Sequence, residues 1–169
     1  MAAGSTFEAA ASTTERLTMA AAISHLRQTP WCAELIDSAA WTPTRTTSRI
    51  AKPITTEDSF FAETLGTERT IRHCLTLRPK EEDLNGDVPF RKVITIMELG
   101  SGLNGHPNIC HGGFVATMLD EVLGVLIQLN LEVSSRQLRA KERGHPGLSC
   151  FTACKWLFVC SAVPGGSLC

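Results

Sequence analysis

A histidine and two glycines, His111, Gly112 and Gly113, stand directly before a long apolar segment. Glycine has no side chain, so a ligand can approach the backbone closely there. The first turn of a helix carries N–H groups without intrahelical partners, and the helix dipole adds partial positive charge. Such donors stabilise the oxyanion that develops on a carbonyl under attack. The pattern indicates carbonyl chemistry, and a thioester carbonyl suits the site.

The apolar segment, residues 113–129, predicts a buried helix because apolar residues cover nearly every helical face. One stripe differs, with small or polar residues at three- and four-residue steps: Gly113, Thr117, Asp120, Glu121, Gly124 and Gln128. Its carboxylates are candidates for acid–base work, with Glu121 the weaker one because it is rotated about 100° from Asp120. Periodicity alone is equally consistent with a solvated surface stripe.

Spacing along this helix limits how the site is built. Gly113 and Asp120 are seven residues apart, hence roughly 10 Å along the axis, too far to act on one carbonyl together. A site that uses both groups is therefore shared between subunits. We expect activity to require a dimer.

Other motifs fit less well. Residues 100–105 satisfy GxGxxG, but Pro107 makes the segment a loop and no βαβ unit follows. Cys110 and His111 are neighbours in an extended segment, so their side chains point to opposite faces, and no GxSxG elbow is present. Three cysteines near the end, Cys150, Cys154 and Cys160, lack a histidine at metal-ligand spacing. We expect no metal and no cofactor.

The remaining chain predicts an α+β protein. Residues 18–40 suggest two short helices broken at Thr29 and Pro30, with Trp31 and Trp41 packing them onto the body. Residues 42–58 have no periodicity and predict an extended connection. Residues 70–78 alternate as a strand with one buried face, and residues 93–97 form a second β-rich run after an Asn85–Gly86 turn. The two strands can pair in antiparallel fashion.

Residues 105–124 resemble the central motif of the hotdog-fold acyl-CoA thioesterases, in the branch of the phenylacetyl-CoA thioesterases, where a carboxylate follows the histidine of His-Gly-Gly by nine residues. That position is Asp120. Residues 58–65 and 70–71 are similar to the lead-in of fungal members, which often lie near secondary-metabolite genes. The resemblance covers 31–130. It implies an antiparallel sheet around a long central helix, hydrolysis of an acyl-CoA or acyl-carrier thioester, and a homodimer or dimer of dimers.

The same resemblance implies roles for individual residues. The Gly113 N–H polarises the thioester carbonyl, His111 supports the loop, and Asp120 activates water or attacks directly. Substrate contacts are expected from Gly112, Asn108 and Thr117. Many relatives carry an asparagine six residues before the histidine. Here that position is Gly105, with Asn104 and Asn108 nearby.

Periodicity stops after Leu131. We divide the chain into a disordered leader (1–19), a thioesterase-like region (20–131) and an atypical tail (132–169). A hotdog sheet needs three further strands after the helix, and the tail offers at most one, near residues 151–159. We therefore expect an incomplete hotdog fold whose helix exposes an apolar patch. A retained intron, a frameshift or a degenerate gene explains such a tail.

Two other functions are alternatives to thioester hydrolysis. The first is a non-catalytic remnant that binds an acyl group or a partner. The second is a hotdog hydratase.

Composition limits partners and compartment. A formal net charge of -1 among 169 residues provides no basic field for nucleic acid or an anionic membrane. Asp120 and Glu121 interrupt the longest apolar run, so we expect no membrane span. Seven cysteines without paired spacing favour free thiols in the cytoplasm. The Ala- and Ser-rich leader makes mitochondrial import the alternative, although it lacks a basic start.

Overall fold

A computed structural model describes residues 19–44, 46–83, 88–141 and 159–161. The protein has a mixed α+β fold with a long helix after its sheet. Residues 19–26 form helix α1. The following elements are α2 (Pro30–Ile36), β1 (Trp41–Thr44), β2 (Ile71–Pro79), β3 (Ile94–Leu99), β4 (Asn104–His106), β5 (Ile109–Cys110), α3 (Gly112–Lys141) and β6 (Val159–Ser161).

Four strands form one sheet in the order β1-β2-β3-β6. The predicted antiparallel pairing of β2 with β3 is confirmed, and His73 lies opposite Glu98 in its register. The short strand β6 pairs with β3 in parallel at Ile96–Glu98. The tail therefore contributes one edge strand. The Asn85–Gly86 turn and most of the segment 151–159 lie outside the described residues.

Both faces of the sheet are covered, which corrects the prediction that β2 buries one face. Leu75 and Leu77 pack in a cluster with the N-terminal helices. An irregularity between Ile71 and His73 shifts the register, so that Ile71 belongs to the other cluster, with α3. Thr76 is also fully buried. The sheet is thus the middle layer between α1 and α2 on one side and α3 on the other.

The two predicted N-terminal helices are confirmed. Pro30 starts α2, where its missing N–H costs nothing and its fixed φ suits the first helical position. Cys32 and Ile36 of α2 are buried against the sheet, and both Trp31 and Trp41 pack against the same cluster, as predicted.

The prediction of an extended connection over residues 42–58 is wrong in part. Strand β1 includes Thr42 and pairs with β2 through Thr44, and a 3-10 turn, Thr47–Arg49, follows it. The β-branched threonines suit an edge strand, but period-2 alternation was absent because all four β1 residues are half-buried.

Helix α3 continues to Lys141, ten residues beyond the last periodic residue, Leu131. The loss of periodicity after Leu131 did not indicate this continuation. Periodicity reports burial, whereas the segment from Glu132 is rich in good helix formers that propagate an existing helix. Residue 131, the predicted end of the thioesterase-like region, therefore lies inside helix α3 and not at its end.

Within the described part of the chain, one face of α3 is exposed. After Gly112, its exposed residues recur at three- and four-residue steps: Gly113, Ala116, Asp120, Gly124, Ile127 and Leu131. By length and composition, Gly112–Leu131 meets the criteria for a membrane-spanning helix, with 39% of its most apolar window buried. The core helix of a soluble protein meets the same criteria. This feature therefore does not distinguish a membrane-spanning helix from a soluble core helix.

Candidate functional site

The loop before α3 is held by a small hairpin. Strands β4 and β5 pair with each other, and Asn108 takes the left-handed backbone conformation, with φ 61°, in the turn between them. The His111 N–H then donates to the Leu103 carbonyl at 2.8 Å. A side chain at Gly105 would come within 3.1 Å of the His111 Cα. Glycine fits here without any shift, whereas a larger residue, such as the expected asparagine, would need the His111 backbone to move by a few tenths of an ångström.

The His111 ring caps the start of α3. Its Nδ1 accepts a hydrogen bond from the Gly113 N–H at 3.0 Å, and the His111 carbonyl accepts from Phe114 and Val115. The Gly113 donor is therefore engaged by the residue expected to support it. The Gly112 N–H makes no hydrogen bond within the described part of the chain, and a Cβ on Gly112 would meet nothing within 4 Å. Gly112 thus presents the open donor.

The predicted site residues on α3 extend along its exposed side. The Thr117 hydroxyl donates to the Gly113 carbonyl at 3.1 Å, so Thr117 supports the first turn. Asp120 is exposed, and no described residue forms an ion pair with it. Asp120 lies on the helix that begins at the His111 loop. Among the described residues, no other side chain of the same chain connects Asp120 to that loop.

The polar stripe predicted for α3 divides between two environments. Asp120 and Gly124 face solvent, whereas Gln128 accepts a hydrogen bond from the Thr47 hydroxyl at 2.7 Å. Glu121 lies with Gln128 against the 3-10 turn Thr47–Arg49. The two adjacent carboxylates therefore point to different neighbours, as the rotation of one residue step requires.

Burial raises the pKa of Glu121. The second-largest influence is the nearby Ser48 hydroxyl, which lowers the pKa of Glu121. The buried Ser48 Oγ makes no hydrogen bond of good geometry among the described residues. The negative charges of Asp58 and Asp120 raise the pKa of Glu121 further, and Arg49 lowers it. A partly buried carboxyl with a raised pKa is a general-base candidate, which sequence reasoning ranked second.

Arg49 organises the wall next to Glu121. Its guanidinium donates to the carbonyls of Phe61, Leu65 and Ile71 at 2.8, 3.4 and 3.1 Å. Burial lowers its pKa, although Cys74 and Glu121 oppose that shift. The sequence analysis missed Arg49, because an arginine in an aperiodic Thr- and Ser-rich segment gives no signal of burial.

The lead-in residues of the family resemblance form this wall. Phe60–Thr64 is a π-helical turn with Phe61 buried, and Asp58 before it pairs with Lys52. Thr56 and Asp58 have φ values of 56° and 63°, which is costly for a β-branched threonine. The lead-in therefore shapes the loop against α3 and supplies no group to Asp120.

The competing motifs have structural roles. A Cβ at Gly100 or Gly102 would lie within 2.5 or 2.6 Å of the Arg69 backbone, so these two of the three glycines of GxGxxG allow a close chain crossing. The segment forms a 3-10 turn, Ser101–Leu103, and the start of β4, and no α-helix opens at its glycines. Burial raises the pKa of Cys74 to about 12 and that of Cys32 to about 11. Both are neutral thiols at pH 7 and poor nucleophiles. Cys150 and Cys154 lie outside the described residues.

Comparisons with known proteins give one relative and no family. No protein-family model matches the chain, and no solved structure matches it. The chain is similar to the Verlamelin biosynthesis protein B of Lecanicillium sp, with 33% identity over 98 residues. That alignment covers 52% of this chain and 42% of the relative, so the chain spans less than half of the relative's length. The chain therefore has a homologue among fungal biosynthesis proteins, and the name of that homologue states no activity.

Proposed function

We propose that this protein belongs to the hotdog type and hydrolyses an acyl thioester, carried on coenzyme A or an acyl carrier, in fungal secondary metabolism. The single observation that carries the proposal is the pair of exposed glycines at the start of α3, with the exposed Asp120 two turns further along the same helix. The similarity to a biosynthesis protein supports the metabolic setting.

The open backbone donor has a defined use in this reaction. A thioester carbonyl placed at the start of α3 accepts a hydrogen bond from the Gly112 N–H, and the helix dipole favours the charge that develops on its oxygen. The Gly113 N–H is a second donor only when the His111 ring releases it. His111 thus holds the loop in the resting protein and controls how many donors the substrate meets.

Asp120 supplies the base or the nucleophile. As a base it takes a proton from water while the water oxygen attacks the carbonyl carbon. The C–S bond then breaks, and the thiolate leaves and takes up that proton. As a nucleophile, Asp120 forms a mixed anhydride that water hydrolyses in a second step. Both routes yield one acid and one thiol.

The distance along α3 requires a second subunit. Two turns of helix separate Asp120 from the glycine donors, so one chain alone cannot bring both to one carbonyl. The exposed face of α3 also carries Ile127 and Leu131, each more than half exposed, and apolar exposure of this kind favours burial against another chain. A symmetric dimer pairs the glycines of one subunit with Asp120 of the other.

The test is thiol release from a panel of acyl-CoA thioesters of different chain length, both aliphatic and aromatic. Asp120→Asn is expected to lower kcat by at least about a hundredfold, whereas Glu121→Gln, one residue away, keeps most of the activity. The reverse ranking would move the catalytic carboxylate to Glu121 beside Arg49. Full activity of both variants would refute a carboxylate on α3 as the catalytic group.

A binding protein without turnover is the second candidate, favoured by the hydrogen bond that occupies the Gly113 donor. It predicts saturable binding of an acyl-CoA with no thiol release at high protein concentration. Under that alternative, Asp120→Asn leaves the dissociation constant unchanged, because no step uses the carboxylate.

A further inference from the structure

Three potential metal ligands meet at the face of the sheet that is opposite α3. His25 comes from α1, His73 from β2 and Glu98 from β3, and one ligand atom of each lies within 4.8 Å of the others. His73 and Glu98 face each other across the β2–β3 pair, and the packing of α1 adds His25. None of the candidate site residues on α3 belongs to this cluster.

The distances suit one shared ion. The Glu98 Oε2 lies 2.9 Å from the His25 Nε2 and 4.0 Å from the His73 Nε2. In a tetrahedral zinc site with bonds of about 2.0–2.1 Å, ligand atoms lie about 3.4 Å apart. The two imidazole rings are stacked, with centroids 4.2 Å apart and planes inclined by 24°, so both present a nitrogen to the same carboxylate oxygen.

The carboxylate oxygen next to the two rings, Glu98 Oε2, is a buried polar atom without a hydrogen bond among the described residues. Glu98 Oε2 accepts none from any described residue, although His25 Nε2 lies near it. The other oxygen, Oε1, lies 3.3 Å from Arg72 Nη1, which holds the carboxylate in place. A buried carboxylate oxygen that accepts no well-directed hydrogen bond is costly, and a cation removes that cost.

We propose that His25, His73 and Glu98 form a binding site for a divalent transition metal of the zinc class. Two imidazoles and one carboxylate are the donors that such ions prefer over the all-oxygen sets of Mg²⁺ and Ca²⁺. Half of the His25 side chain is exposed, so solvent can supply a fourth ligand. The ion ties α1 to the β2–β3 pair. Arg72 orients the carboxylate from outside the ligand set.

The experiment follows the histidine rings directly, because cysteine thiolates are also zinc ligands and could contribute to a binding signal. The metal-free, ¹⁵N-labelled full chain is titrated with ZnCl₂, and the imidazole nitrogens are observed by long-range ¹H–¹⁵N correlation. We expect the resonances of His25 and His73 to shift together and saturate at one zinc per chain. His106, which is exposed on β4, and His111 stay unshifted. Unchanged resonances of His25 and His73 would overturn the proposal.

Variants supply the second arm. Calorimetric titration of Glu98→Gln and His25→Gln should show at least about tenfold weaker zinc binding than the original chain, with His106→Gln as the matched control. His25 is half-exposed, so its replacement leaves the fold intact, and circular dichroism checks Glu98→Gln. Zinc binding that is unaffected by both substitutions would place the metal on cysteines and refute the site.

Discussion

Asp120 and Glu121 are neighbours in sequence but lie in different surroundings. Asp120 faces solvent, where a partner subunit or substrate can reach it. Glu121 is half-buried beside Ser48, Arg49 and Asp58, and burial is the largest cause of its raised pKa. One carboxylate is thus available for chemistry between chains, and the other belongs to the packing of the loop against α3.

The raised pKa of Glu121 makes stability depend on pH. Its ordinary value is 4.5, so above that pH the folded state binds more protons at Glu121 than the unfolded state does, and stability falls as pH rises through the folded pKa. Glu121→Gln removes this loss. We expect the variant to gain stability relative to the original chain between pH 4 and pH 7, measured by urea unfolding at several pH values.

Asp120→Asn is the control for that experiment, since it also removes one charge from α3. A stability difference for Glu121→Gln that stays constant with pH, or that widens toward acid, would contradict the burial of this carboxyl group.

At the scale of elements, Asn130 fixes α3 to the segment that leads into β3. Its side-chain oxygen accepts from the Phe90 N–H, and its amide group donates to the carbonyls of Phe90 and Leu126, all at 2.9 Å. Phe90 precedes β3, and no described strand pairs with it, so the side chain of Asn130 satisfies its backbone N–H and carbonyl instead.

Asn130→Leu therefore should destabilise the fold by about 2–4 kcal/mol, because it leaves two buried backbone groups of Phe90 without partners. Denaturant unfolding monitored by circular dichroism measures this loss. Asn104→Ala, at an exposed position in β4, is the control, and its effect should stay within about 0.5 kcal/mol. Equal effects of both substitutions would contradict the assigned role of Asn130.

The elements with local signals were predictable from sequence. Pro30 and the apolar spacing around it were sufficient for α1 and α2, and the alternation from Ile71 and the run from Val93 indicated the β2–β3 pair. The last ten residues of α3 were missed because helix propagation beyond Leu131 leaves no mark in hydrophobic periodicity. Strand β1 was missed because its pairing with β2 stabilises it, not its own pattern.

The candidate site divides in the same way. The loop at His111 and the carboxylate at Asp120 lie within one segment, so their spacing could be read directly. The cluster of His25, His73 and Glu98 was invisible, because 48 and 25 positions separate its members in the sequence and only the docking of α1 on the sheet brings them together. No metal was expected because the sequence does not place potential metal ligands at the short spacings that are typical of metal sites.

At the scale of the whole molecule, the sheet has helices on both faces, and one side of α3 is exposed in the described part of the chain. Ile127 and Leu131 are 54% and 59% exposed on that side, close to Asp120 and Gly124 in the helical repeat. Burial of this face against a second copy removes apolar surface from water and brings the Asp120 of one chain toward the glycine loop of another. A dimer therefore accounts for both the exposed face of α3 and the separation of Asp120 from the glycine donors of the same chain.

Complementation between two inactive variants tests this account most directly. Gly112→Pro removes the open N–H at the first helical position, where proline is tolerated, and Asp120→Asn removes the carboxylate. Each variant alone is expected to be inactive in thiol release. When the two are co-expressed, half of the dimers are mixed and each holds one intact site, so about a quarter of the original activity returns. Equal inactivity of the mixture and the separate variants would contradict a site shared between subunits.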